Sequence, residues 1–194
     1  MTPKITTKAR ASSASAPAYV ALLRGINVGG NYKLPMKDLA AMFAKMGCTD
    51  VKTYIQSGNV IFRADDSVAA RVPQAIAKAI ADRSGMKIPV VVRKATELRK
   101  IAENNPFLAR ATDESRLYVY FLADRPAKTE TQKLDPARSP PDEFIVKGSE
   151  IYLHCPNRFG GTKLTNAYFD SKLGTVSTAR NWRTVLKLVD LAGG

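Results

Sequence analysis

Apolar residues run almost unbroken from Tyr19 to Leu23 and stop at Arg24, where the chain turns polar and glycine-rich. The run predicts a strand. Met36, Leu39, Ala40, Phe43 and Met46 then recur at helical spacing, with Pro35 placed to start the helix and Gly47 to stop it. Val51–Ile55 and Val60–Arg63 are β-rich and flank Ser57-Gly58, a hairpin signal. A helix follows over Val72–Ser84, with Pro73 in its first turn and Gly85 as a left-handed cap. Ile88–Val92 reads as the next strand, and Thr96 caps a short helix ending near Asn104-Asn105-Pro106. The order is βαββαβ, the ferredoxin-like arrangement.

After an irregular stretch, Asn104–Ser115, the pattern begins again. Leu117–Leu122 predicts a strand and Lys128–Leu134 a short helix. Phe144–Lys147 and Ile151–His154 pair across Gly148-Ser149, and Lys163–Leu173 and Thr178–Leu191 read as helices. Asp135–Asp142, with three prolines, is a surface linker. The fold class is therefore α+β, with two ferredoxin-like βαββα(β/α) halves, 19–104 and 116–194. Both faces of Tyr19–Leu23 and of Leu117–Leu122 are apolar. A sheet covered on one side would alternate with polar residues, so the open faces should be buried against each other or against a partner subunit.

Topology gives the first functional expectation. In a βαββαβ unit the first two strands run parallel, so the loop after the first strand and the following hairpin finish at one end of the sheet. Arg24, Gly25, Asn27, Gly29 and Gly30 from the loop thereby meet Gln56, Ser57, Gly58 and Asn59 from the hairpin. Glycine-rich turns at helix starts expose N–H groups that suit an anion. The same glycines also serve a sharp strand-to-helix turn, with Asn27 bonding its own backbone. The spacing matches neither GxxxxGK[ST] nor GxGxxG.

Charge sharpens that expectation. The net charge is +13, and Lys4, Lys8 and Arg10 account for three, leaving +10 on the remainder. Such a balance attracts nucleic acid or phosphorylated small molecules, and equally describes a basic surface with no specific partner. Residues 1–18 are rich in Ala, Ser and Thr and are expected to be a disordered extension without the apolar core of a secretory signal. No apolar run approaches the ~18 residues of a membrane span. Cys48 and Cys155 lack metal-type spacing and point to free thiols in a reducing cytoplasm.

The blocks ALLRGINVGGNYKLPM, TYIQSGNVIF, Asn105-Pro106-Phe107 and STARNWRTVLKL together resemble the bacterial domain-of-unknown-function 1697 family, from about Tyr19 to the C-terminus. The resemblance implies an α+β fold with ferredoxin-like halves. It implies no activity, because the family is uncharacterised, and the N-terminal extension is the main departure from its pattern.

In the last block Trp182, Val185, Leu186 and Val189 form an inward stripe, with Thr178 as N-cap. Arg180 then sits in the first turn, where a cation opposes the helix dipole by about a few tenths of a kcal/mol. Either an ion pair with Asp170 or Asp124 or a bound anion would answer it, so Arg180 and Asn181 join the candidate ligand contacts.

Catalytic and metal signatures are weak. His154 and Cys155 are adjacent and point to opposite faces of a strand. Asp65-Asp66 reads as a cap, and Ser57 has no identifiable base. No metal and no cofactor is expected. Tyr118, Tyr120 and Tyr152 could share one face, as buried aromatics or as a base-stacking platform. The loop Asn157–Lys163, glycine-lined and basic, is a second place for phosphate. Three functions remain: an anion or nucleic-acid binder, an enzyme acting on a small phosphorylated or carboxylated metabolite, and a structural or oligomer contact. The oligomeric state is not legible.

Overall fold

The computed structural model describes residues 16–27 and 33–193. The first half comprises β1 (Ala18–Leu23), α1 (Met36–Lys45), β2 (Thr49–Tyr54), β3 (Asn59–Arg63), α2 (Asp66–Ala69), α3 (Val72–Ser84), β4 (Val90–Lys94) and α4 (Ala95–Glu103). The second comprises β5 (Leu117–Leu122), α5 (Lys128–Thr131), β6 (Glu143–Lys147), β7 (Glu150–His154), α6 (Asn166–Leu173), β8 (Ser177–Asn181) and α7 (Trp182–Leu191). Each half builds a four-stranded antiparallel sheet, ordered β2-β3-β1-β4 and β6-β7-β5-β8. The α+β class and the two ferredoxin-like halves stand as the sequence reads them.

Side-chain parity explains the doubly apolar strands. From β1, Tyr19, Ala21 and Leu23 face an outer core under α1 and α3, whereas Val20 and Leu22 face a central core. From β5, Leu117, Val119 and Phe121 enter that same central core, and Tyr120 and Leu122 face a second outer core under α6. The halves do bury their open faces together. α4 and α7 fill part of the space between, through Leu98, Ile101, Trp182, Val185 and Leu188, and β4 and β8 approach directly. Trp182 is core, at 1% exposure.

Local chemistry accounts for most element ends. Pro73 sits in the first turn of α3 and Gly85 closes it at φ +72°. The hairpin between β2 and β3 is a four-residue turn, Ile55–Gly58, rather than the two-residue turn expected, since Tyr54 pairs with Asn59. Ile55 holds φ +48° with its side chain 51% exposed, a costly conformation for a β-branched residue.

Several expectations are corrected. Thr178–Leu191 is not one helix: Ser177–Asn181 is an edge strand antiparallel to β5, and the helix starts at Trp182. The N-cap is Asn181, whose Oδ1 accepts from the Thr184 amide at 2.8 Å, not Thr178. The second half is thus βαββαβα, the element order of the first without its short α2. α6 starts at Asn166, not Lys163, with Thr165 capping it. α4 starts at Ala95, and the Glu97 carboxylate accepts from the Lys94 amide, so Thr96 is not its cap. Tyr152 faces the central core, away from Tyr118 and Tyr120. In the expected extension 1–18, residues 1–15 lie outside the described residues. Ala16 and Pro17 accept hydrogen bonds from Arg63 and Ala64, and Ala18 belongs to β1.

Candidate functional site

β1 and β2 both pair antiparallel with β3 and so run parallel to each other. The loop after β1 and the β2–β3 hairpin therefore share a rim, and the two are bonded together. Leu23 N donates to Gly58 O at 2.8 Å, and Asn27 Nδ2 donates to Gln56 O and Leu34 O, both at 3.0 Å. Asn27 takes φ +56° and accepts from the Leu34 amide at 2.8 Å, closing the loop on itself. Asn59 Nδ2 donates to Tyr54 O and Ser57 Oγ. Gly29 and Gly30 lie outside the described residues.

Arg180 stands behind this rim with 8% of its surface exposed. Nε donates to Asn59 Oδ1 at 2.6 Å, and Nη2 to Leu23 O at 2.8 Å and to the Ser57 and Gly58 carbonyls at 3.3 Å. Nη1 donates to Thr178 Oγ1 and Ala179 O. Among the described residues none of its acceptors is a carboxylate, which corrects the expected pair with Asp170 or Asp124. Burial without a counter-charge pulls its pKa down to about 10, still a cation at neutral pH. Its N–H groups all face protein acceptors, and Arg180 braces the two halves. Asn181 caps α7 and is likewise committed through Oδ1.

Asp170 pairs instead with Arg24, Nη1 to Oδ2 at 2.6 Å, while Ser177 O takes the same nitrogen at 3.0 Å. The side chains are 31% and 21% exposed, so the pair sits at the solvent boundary and is worth at most about 1 kcal/mol. Around Arg24, Gly25 and Gln56 are exposed and Ser57 is half-buried.

A residue not singled out from sequence, Arg93, repeats the Arg180 arrangement in mirror role. Nε of Arg93 meets Glu150 Oε1 at 2.9 Å, Nη2 donates to Leu122 O and Ser149 O, and Nη1 to its own neighbour Val92 O. Glu150 opens β7 as Asn59 opens β3, and Leu122 ends β5 as Leu23 ends β1. Leu122 N donates to Ser149 O at 2.9 Å, as Leu23 N does to Gly58 O. Each half thus lends an arginine from its last strand to the other half's rim. The sequence signal was available: an arginine one residue before the end of a strand that leads straight into a helix, in RKATEL and in RNWRTV.

The braces differ in charge. Burial raises the Glu150 carboxyl above its ordinary value, with Arg93 opposing. Removing Arg93 takes away the main opposition to burial and leaves the Ser149 backbone bond, so the folded chain holds a proton more readily than the unfolded chain. Stability therefore falls as pH rises through the folded value. In Arg93→Ala the loss of unfolding free energy, read by urea titration, is expected to be greater at about pH 8 than at about pH 5. An equal loss at both would remove Glu150 from the account.

Other candidate chemistry is quiet. Cys155 is buried and its thiol is pushed up to about 12, and Cys48 to about 11, both by burial. These are poor nucleophiles. His154 packs its ring against Phe107 at 5.8 Å, away from the buried Cys155. Ser57 Oγ accepts from Asn59 Nδ2, and among the described residues no base bonds it. Among the described residues no group of three His, Cys, Asp or Glu could hold a metal, and no helix is long and apolar enough to cross a membrane.

Comparison with known proteins gives family and fold. The model of the family described as "Protein of unknown function (DUF1697)" matches residues 17–152, and the chain belongs to that family. The fold is similar to that of the conserved bacterial protein SP0830 from Streptococcus pneumoniae. The TM-score is 0.68 at 21% identity, covering 92% of this chain and 99% of the other. No curated protein matches the chain.

Proposed function

We propose that this member of the DUF1697 family is a cytoplasmic protein that binds a phosphate-bearing ligand, either a small phosphorylated molecule or nucleic acid, at the rim where the first loop meets the hairpin. The observation that carries the reading is the shared rim itself: two polar loops bonded to each other, with Arg24, Gly25, Gln56 and Ser57 on the solvent side. Asn27, Gly58, Asn59 and Arg180 hold the backbone that presents them, and Asn181 caps α7 behind Arg180. Arg24 supplies charge, its pairing with Asp170 confined to Nη1, and Gln56 and Ser57 supply directional bonds. The net charge of +13 favours such partners at long range. Two free, buried thiols suit a reducing compartment.

The purely structural alternative is favoured by one observation, the complete engagement of Arg180 by protein acceptors. Binding separates the two. Labelled single and double strands are titrated between about 50 and about 300 mM salt, beside a thermal-shift series with inorganic phosphate and nucleotides. Affinity is expected to fall with salt, and Arg24→Gln is expected to reduce the salt slope by about one. No salt-sensitive binding and no stabilisation by any anion would leave the rim as a joint alone.

A further inference from the structure

A second concave surface lies on the outer face of the second sheet, away from the rim residues. Tyr118 of β5 and Phe159 stack at 4.1 Å between centroids with 19° between planes. Their rings line an open groove of about 560 Å³ with Arg116, Arg158, Gly160 and Gly161. A Cβ built on either glycine meets nothing within 4 Å, so that wall is open. Among the described residues no carboxylate lines the groove. Asp113 and Asn157 O hold Arg116 at Nε and Nη1, and Arg158 is exposed.

The equivalent place in the first half keeps a cleft of about 440 Å³ beside Tyr19, Asp66 and Lys94, but its aromatic and its cation are engaged by an acid. Tyr19 pairs with Lys94 across the sheet as Tyr118 pairs with Asn181. Yet Tyr19 donates its hydroxyl to Asp66, Lys94 bonds Asp66 and lies over the Tyr19 ring, and Tyr19 is 4% exposed. There an acid neutralises the cation and a short helix roofs the aromatic. Beside Tyr118 the position that corresponds to Asp66 is Asn157, which follows β7 as Asp66 follows β3, and Asp113 pairs with Arg116 but not with Arg158.

We propose that the Tyr118–Phe159 groove binds a nucleotide unit, its base stacked on the aromatic pair and its phosphate held by Arg158 and Arg116. A flat ring with a diffuse face suits the aromatic pair, and a dianion suits two guanidinium groups with open backbone beside them. The glycines let a sugar-phosphate pass close to the chain. The unit could come from a free nucleotide or from a single strand. The proposal does not rest on the rim, and its variants leave Arg24 and Gln56 intact.

The test uses the full chain with AMP, inorganic phosphate and a labelled ten-nucleotide single-stranded RNA as probes, by anisotropy and calorimetry. Phe159→Leu keeps an apolar cover for the neighbouring Tyr120, and Arg158→Gln changes an exposed side chain. Circular dichroism verifies that both fold. Phe159→Leu is expected to weaken RNA or AMP about tenfold, leaving phosphate alone unchanged. Arg158→Gln should lower the salt slope by about one. Loss for AMP identifies a free nucleotide as the source, and loss for RNA alone identifies a strand. Native protein that binds neither probe, or variants that bind both within about twofold of native, overturn the proposal.

Discussion

Arg180→Met lowers the unfolding free energy by about 3 kcal/mol, and Tm by about 6–12 °C for a chain of this size. The substitution leaves the Leu23 and Gly58 carbonyls and Asn59 Oδ1 without their donor. Asn59 and Gly58 are buried, and an unsatisfied buried acceptor costs about 1–3 kcal/mol. Relief of the desolvated guanidinium offsets part of that loss. Arg180→Lys is expected to be no better than Met. It keeps the buried charge, while a compact ammonium cannot reach acceptors spread over both halves. Urea unfolding of the three proteins checks the order. A Met variant as stable as the native chain would mean that the guanidinium braces nothing.

Gly58→Ala is expected to cost about 2–4 kcal/mol. Gly58 holds φ +80°, and an added Cβ would lie 2.7 Å from Leu23 Cβ and 3.0 Å from two side-chain carbons of Ile26. The hairpin cannot retreat without stretching the Leu23–Gly58 bond and the Arg180 contacts. Gly25→Ala is the matched control. Its φ is +74° but nothing lies within 4 Å of the new carbon, so only backbone conformation is charged, about 1–2 kcal/mol. Chemical denaturation of both variants separates close approach from backbone strain. Equal losses would show that the Leu23 contact carries no cost of its own.

What the sequence made legible was local or topological. The helix Val72–Ser84 was readable to the residue because Pro73 and Gly85 act through neighbouring backbone. The meeting of loop and hairpin followed from strand direction, which a βαββαβ order settles without any side-chain detail. β8 was hidden because Ser177-Thr178-Ala179-Arg180-Asn181 has no alternation of bulky apolar residues. Its strand form comes from pairing with β5, and the periodic stripe from Trp182 invites extension backwards. The acceptors of Arg180 were out of reach for a different reason. Four of the six are main-chain carbonyls, three of them more than a hundred residues away, and a carbonyl leaves no mark on composition. Arg93 fell to the same blindness, although its placement repeats that of Arg180.

The exchange of arginines makes the halves mutually dependent. If either sheet opens, it withdraws a guanidinium from the other's carbonyls and strands its own, so a state with one half native and one unfolded meets both penalties. The 194-residue chain should thus melt in one cooperative transition, with amides of β4 and β8 exchanging through global rather than local opening.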